Sequence, residues 1–152
     1  MKKAIETLDK GMLELVKKHH ADTFELITSI PGVGAKTATM MICLTDGFQK
    51  FQHNEVKQFI SYIGMSPRTF NSGTSVKGRA HITKVGNGRI RSLLYMCSWT
   101  AKRYNQQCAD LYKRLSEKGK PEMVIKVAIA HKIVRQIFGV MKNGQPFSNE
   151  FA

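Results

Sequence analysis

Apolar residues recur at helical spacing through most of this chain, and glycine and proline interrupt the pattern at a few places. Ile5, Leu8, Met12 and Leu15, spaced 3, 4 and 3, form a short a/d seam. The chain opens directly on that seam and reads as the end of a longer coiled coil; a dimerising or intramolecular helix fits the same spacing. Asp22 and Glu25 have capping-box spacing for a short helix ending near Ser29. Pro31 to Gly34 breaks the chain, and Ala35 to Leu44 reads as the next helix. Asn54 is placed to cap a helix carrying Val56, Phe59, Ile60 and Ile63. Gly64 to Gly88 reads as a long ordered loop with room for a short hairpin. A helix over Asn87 to Tyr104 puts Ile90, Leu93, Leu94, Cys97 and Ala101 on one side. Another runs from Gln107 to Lys118 and ends at Gly119. Pro121 suits the first turn of a last long helix, to about Met141. The pattern predicts a compact all-α domain with a single Gly/Ser/basic loop. Met40 and Met41 are expected in its core. So are Tyr95, Trp99 and Tyr104, with base stacking as the alternative.

At 152 residues the chain makes one domain, and its apolar fraction of 42% is ordinary for a globular protein. Its charge changes the picture: 24 Lys and Arg against 11 Asp and Glu give +13. The excess is also local. From Val56 to Ala109 there is no acid, while Lys57, Arg68, Lys77, Arg79, Lys84, Arg89, Arg91, Lys102 and Arg103 all fall there. A solvated face normally mixes signs, because unscreened like charges destabilise a fold. Membrane binding would favour an amphipathic helix, yet these cations gather in a Gly-rich segment. A polyanion, nucleic acid first, is the expected partner. Cys43, Cys97 and Cys108 are odd in number and form no CxxC pair, as suits neutral thiols in a reducing cytosol. The five histidines show no metal-ligand spacing, and no metal site is expected. The chain has no apolar run of 18 residues and no signal-peptide core, so a cytoplasmic location is expected.

Three segments carry candidate chemistry. Ser29-Ile-Pro-Gly-Val-Gly-Ala-Lys-Thr-Ala38 resembles the turn of helix-hairpin-helix domains, in which Gly32 and Gly34 expose backbone amides at a helix start and Lys36 adds charge. Such a turn holds a phosphate without reading sequence; a tight interhelical turn that touches nothing fits the same residues. A P-loop is excluded on spacing, because Ala35 stands where a glycine is required. Asn71-Ser-Gly-Thr-Ser-Val-Lys-Gly-Arg-Ala-His-Ile-Thr-Lys84 sets a serine before a glycine, with Lys77, Arg79 and Lys84 near enough in sequence to stabilise charge on a phosphate. His81 is a candidate proton relay, although a lone histidine is more often a surface or phosphate contact. Lys84-Val-Gly-Asn-Gly-Arg-Ile-Arg91 offers a second phosphate seat, with Arg89 and Arg91 at the start of a helix.

Taken in order, SIPGVGAKTA, FISYIGMSPRTFNSGTSVKGRAHITKVGNGRIRSLLYM and YKRLSEKGKPEMVIKVAIAHKIVRQIFGVMKNGQPF resemble the C-terminal domain of the bacterial insertion-sequence one-ten transposases, relatives of the Piv DNA invertase. The resemblance covers about Leu26 to Phe147. It implies residues 1–21 as the end of a helical linker, 22–147 as the DNA-binding, serine-bearing domain and 148–152 as a tail. It further implies a two-part DNA recombinase, in which an N-terminal RuvC-like domain brings an Asp-Glu-Asp-Asp site for divalent metal such as Mg. The C-terminal domain brings a serine nucleophile. The family's Ser-Gly motif falls on Ser72-Gly73, with Ser75 the second candidate. The resemblance implies DNA as partner, an RNA guide in some members and a homo-oligomer when full-length. The acidic domain has no counterpart among these residues, so a fragment unable to complete strand exchange alone is expected, without a cofactor of its own. A non-catalytic helix-hairpin-helix module that only clamps phosphates is the alternative. A protein-interaction domain built on the N-terminal seam is a third reading.

Overall fold

The computed structural model describes residues 2–51, 55–68, 71–72, 76–77 and 81–149, with the side chains of residues 2, 3, 71, 72, 76 and 77 left aside. The described residues form an all-α domain with a short β-ribbon. Its helices are α1 (Lys2–His19), α2 (Ala21–Thr28), α3 (Ala35–Thr45), α4 (Val56–Tyr62), α5 (Gly88–Tyr104), α6 (Gln106–Glu117) and α7 (Glu122–Asn143).

The long α7 is the axis of the fold and packs against α2, α4, α5 and α6. Its apolar residues recur around the whole helix, and Ile125, Ile129, Ile133, Val134, Ile137 and Phe138 are all at most 1% exposed. A helix apolar on most sides belongs in a core. Phe138 meets Phe48 edge-on at 5.2 Å and Phe59 at 5.5 Å, which joins α7 to the α3–α4 connection. Pro121 precedes α7, and Gly144, at φ +63°, closes it in the left-handed conformation.

Several local expectations hold for identifiable reasons. Asn87 caps α5, its Oδ1 accepting from the Arg89 amide at 2.9 Å. Gly119, at φ +65°, follows the end of α6. Met41 is buried and Met40 partly so. Other expectations need correction. The helix near Asp22 starts one residue earlier, and its N-cap, His20, makes no side-chain cap bond. Asn54 lies outside the described residues; Glu55 stands at the N-cap of α4. The aromatic residues of α5 are not all core: Trp99 is 43% and Tyr104 70% exposed. The N-terminal seam lies largely on the outside of the domain, with Leu8 at 69% and Leu15 at 60% exposed, which goes against an intramolecular seam and not against a coiled-coil or dimerising one. Val16, outside the 3-4 seam, is the α1 residue that enters the core.

The expected Gly-rich loop contains a two-tier ribbon. β1 (Pro67–Arg68) pairs antiparallel with β4 (His81–Ile82), and β2 (Asn71–Ser72) with β3 (Val76–Lys77). Two residues separate the tiers on one side and three on the other, so the register steps by one between them.

Candidate nucleic-acid interface

The ribbon is anchored where it leaves the helices. Gly64, at φ +74°, lies against the backbone of Val85, and Gly86, at φ +118°, lies against the carbonyl oxygen of Tyr62. A Cβ at either position would overlap main-chain atoms, so these two glycines hold the ribbon's ends together. The Lys84 amide donates to the Gly64 carbonyl at 3.0 Å, and the Thr83 amide to that of Ser66 at 3.0 Å. His131 of α7 ties the same base down: its Nε2–H donates to the Met65 carbonyl at 3.0 Å. Burial holds the His131 imidazole below its usual range, and nearby Arg135 pushes the same way, against the opposing effect of that hydrogen bond. The imidazole is therefore a neutral donor.

On the ribbon, Ser72 pairs in register with Val76, and Asn71 with Lys77. Ser75 and Arg79 lie outside the described residues. Arg68 and His81 face each other in the β1–β4 pair at the base, both exposed.

The first turn of α5 divides the remaining cations between two clefts. Lys84 and Arg91 line one of about 630 Å³, beside Met65, Ile82, Tyr95 and Met123. Arg91 is half-buried and donates from Nη1 to the Ile63 carbonyl at 2.8 Å, so it also secures the ribbon base. The other cleft, of about 290 Å³, lies between α1, α3 and α5 and gathers Lys36 with Arg89. Both cations reach one carboxylate on α1: Asp9 Oδ1 accepts from Arg89 Nη2 at 2.5 Å, and Asp9 Oδ2 is 3.8 Å from Lys36 Nζ.

The glycines of the hairpin turn differ from each other. Gly32, at φ +99°, sits on α5, where a Cβ would come within 2.8 Å of three Ala101 atoms, including its backbone N and Cα. Gly34, the N-cap of α3, faces open space. A buried amide network supports this turn. Asn105 Nδ2 donates to Gln136 Oε1 at 3.0 Å and to the Pro31 carbonyl at 3.5 Å. Asn105 is fully buried and also caps α6 through the Cys108 amide.

One cluster escapes sequence reasoning. Lys126, 5% exposed, sets its Nζ 3.4 Å from the Trp99 ring centroid and 3.4 Å from Glu122 Oε1. The ammonium under the indole keeps that ring at the surface, which is why Trp99 is not core. Glu122 is held below the usual carboxylate range, first by the Tyr112 hydroxyl and then by the cations Lys126 and Lys102. Only the i, i+4 spacing of Glu122 and Lys126 hinted at this contact. Burial raises the Cys108 thiol to about 11, so it is inert at neutral pH. Among the described residues, no group of three or more His, Cys, Asp and Glu is placed to hold a metal ion, and no helix is long and apolar enough to cross a membrane.

Comparison with known proteins places this chain in a family. Residues 24–113 match the family described as Transposase IS116/IS110/IS902. A pilin gene-inverting protein of Moraxella bovis is 32% identical over 152 residues, covering 95% of this chain and 45% of that protein. Its counterpart from Moraxella lacunata is 31% identical over 124 residues, covering 80% of this chain and 38% of that protein. An uncharacterized 43.6 kDa protein of insertion element IS110 from Streptomyces coelicolor is 24% identical over 119 residues, covering 78% and 29%. The chain spans less than half the length of these relatives. It belongs to the IS116/IS110/IS902 transposase family.

Proposed function

We propose, from this membership, that the chain is the DNA-binding, serine-bearing part of a transposase or DNA invertase, and that Ser72 is its nucleophile. What chiefly supports the reading is the position of Ser72 on the β2–β3 pair, the tier further from the helices, of a basic ribbon anchored by Gly64 and Gly86. Lys77, Arg79 and Lys84 lie on the same excursion of the chain. The reaction is phosphoryl transfer. The Ser72 hydroxyl oxygen attacks the scissile phosphorus and gives up its proton to a base. The bond from phosphorus to the departing deoxyribose oxygen breaks, and that oxygen takes a proton. A phosphoserine ester then joins protein to DNA, and attack by a deoxyribose hydroxyl of another strand releases the serine and reseals the DNA. Cations on the ribbon and at the start of α5 stabilise the extra charge on the phosphate oxygens. Divalent metal, which the family resemblance implies, would be held by carboxylates outside the residues described.

The test is Ser72→Ala in a protein that also carries the remainder of the relatives' length. Recombination should be lost while duplex-DNA affinity stays within about twofold, a margin below 1 kcal/mol. A variant that still recombines rules out Ser72 and favours a phosphate-clamping module. Charge reversal at Arg89 should then weaken binding far more than Ser72→Ala does.

A further inference from the structure

We propose that the cleft between α1, α3 and α5 is a phosphate subsite, and that the Asp9 carboxylate occupies it as an internal substitute until a nucleic-acid phosphate displaces it. The proposal rests on the nucleic-acid reading above and deepens it.

Three observations carry it. First, Asp9 is bound by cations from two separate segments: Lys36, at the second position of α3, and Arg89, at the second position of α5. A carboxylate held by an arginine and a lysine at two adjoining helix starts has the charge and hydrogen-bonding character of a phosphodiester oxygen pair. Second, Thr39 is among the residues lining the same cleft and is 5% exposed, and its buried hydroxyl has no hydrogen-bond partner. Buried hydroxyls are normally satisfied, and one left unpaired beside the cleft is a partner for a phosphate oxygen once Asp9 and its helix move aside. Third, α1 is placed to move. Residues 4–8 are exposed, and the helix enters the core only at Val16, nearer its other end. Beside the cleft, α1 is held by the Asp9 ion pairs, with Glu6 and Lys10 also on the cleft's lining and Met12 and Leu13 one turn further along. Lys36 and Arg89 remain 74% and 52% exposed, so their hold on Asp9 is screened by solvent and open to competition. A phosphate brings more negative charge and more acceptors than a carboxylate.

The experiment is fluorescence anisotropy of this chain with a labelled DNA duplex across a salt series, comparing wild type, Asp9→Asn and Glu14→Gln. Glu14 is an exposed acid on the same helix, so both variants change net charge equally. Asp9→Asn should bind about threefold tighter than Glu14→Gln or better, with a log K against log salt slope steeper by about 0.9, as for one added phosphate contact. Adding Lys36→Gln or Arg89→Gln to Asp9→Asn should cancel the gain. Asp9→Glu, which keeps the carboxylate, should bind like wild type and covers the case in which Asp9→Asn loosens the fold. Equal affinities and slopes for Asp9→Asn and Glu14→Gln, with wild type still binding DNA, overturn the subsite and leave the nucleic-acid reading standing. No salt-dependent binding by any of these proteins overturns both.

Discussion

The hairpin turn and the base of the ribbon are both short glycine-bearing segments next to basic residues, yet they use their glycines differently. At the ribbon base, both Gly64 and Gly86 are consumed by contacts with the protein's own main chain. In the hairpin only Gly32 is, against Ala101, while Gly34 faces open space at the start of α3. A Gly-rich basic stretch therefore does not present every glycine to a ligand. Some let two segments of backbone approach, and the cations they carry are positioned as a result.

Substitutions can break that comparison. The largest effect is expected for Gly86→Ala, which combines a disfavoured φ with overlap on the Tyr62 carbonyl. A loss of about 3 kcal/mol or more, and a melting temperature lower by on the order of 10 °C, should appear in thermal unfolding. Gly32→Ala should cost about 2–3 kcal/mol by the same measurement, because the rigid backbone of α5 blocks the new methyl. Gly34→Ala, in contrast, should change stability by less than about 1 kcal/mol, and any loss of DNA affinity would then reflect the turn's surface rather than its fold. If Gly32 and Gly34 prove equally tolerant, the distinction between them fails.

A smaller effect sharpens the view of the ribbon base. The His131 imidazole is held below its ordinary pKa in the folded chain, so the unfolded chain takes up a proton first as pH falls. Stability from this site is fully present above about pH 6.5, declines below it, and is lost once pH passes the lower folded-state value. His131→Gln keeps a donor for the Met65 carbonyl without titrating. Urea unfolding at pH 7.5 and 5 should show a smaller decline for this variant than for wild type. Equal declines would mean that His131 does not set the pH response.

The helical frame was legible because its signals are local. Asn87, Gly119, Pro121 and the apolar residues of α7 each mark a boundary or a buried helix within a few residues of where they act. The Asp22 cap misled because helix entry depends on a single backbone conformation, and the chain turns at His20 instead. The candidate site was legible as a list of cations and obscure as an arrangement. Arg89 and Asp9 meet across 80 positions, and Gly32 meets Ala101 across the hairpin–α5 packing. Such pairings are set by how helices dock, which no spacing along the chain encodes. Trp99 failed the core expectation for the same reason, since its ring is held outward by Lys126 from a different helix.

That ring has a practical use. Trp99 is the chain's single tryptophan, it is partly exposed, and its electronic surroundings include a buried ammonium from α7. Its emission is thus an intrinsic optical reporter of whether α5 and the start of α7 remain docked. It can follow unfolding, or any base that slides over the indole, in the native protein without an attached dye.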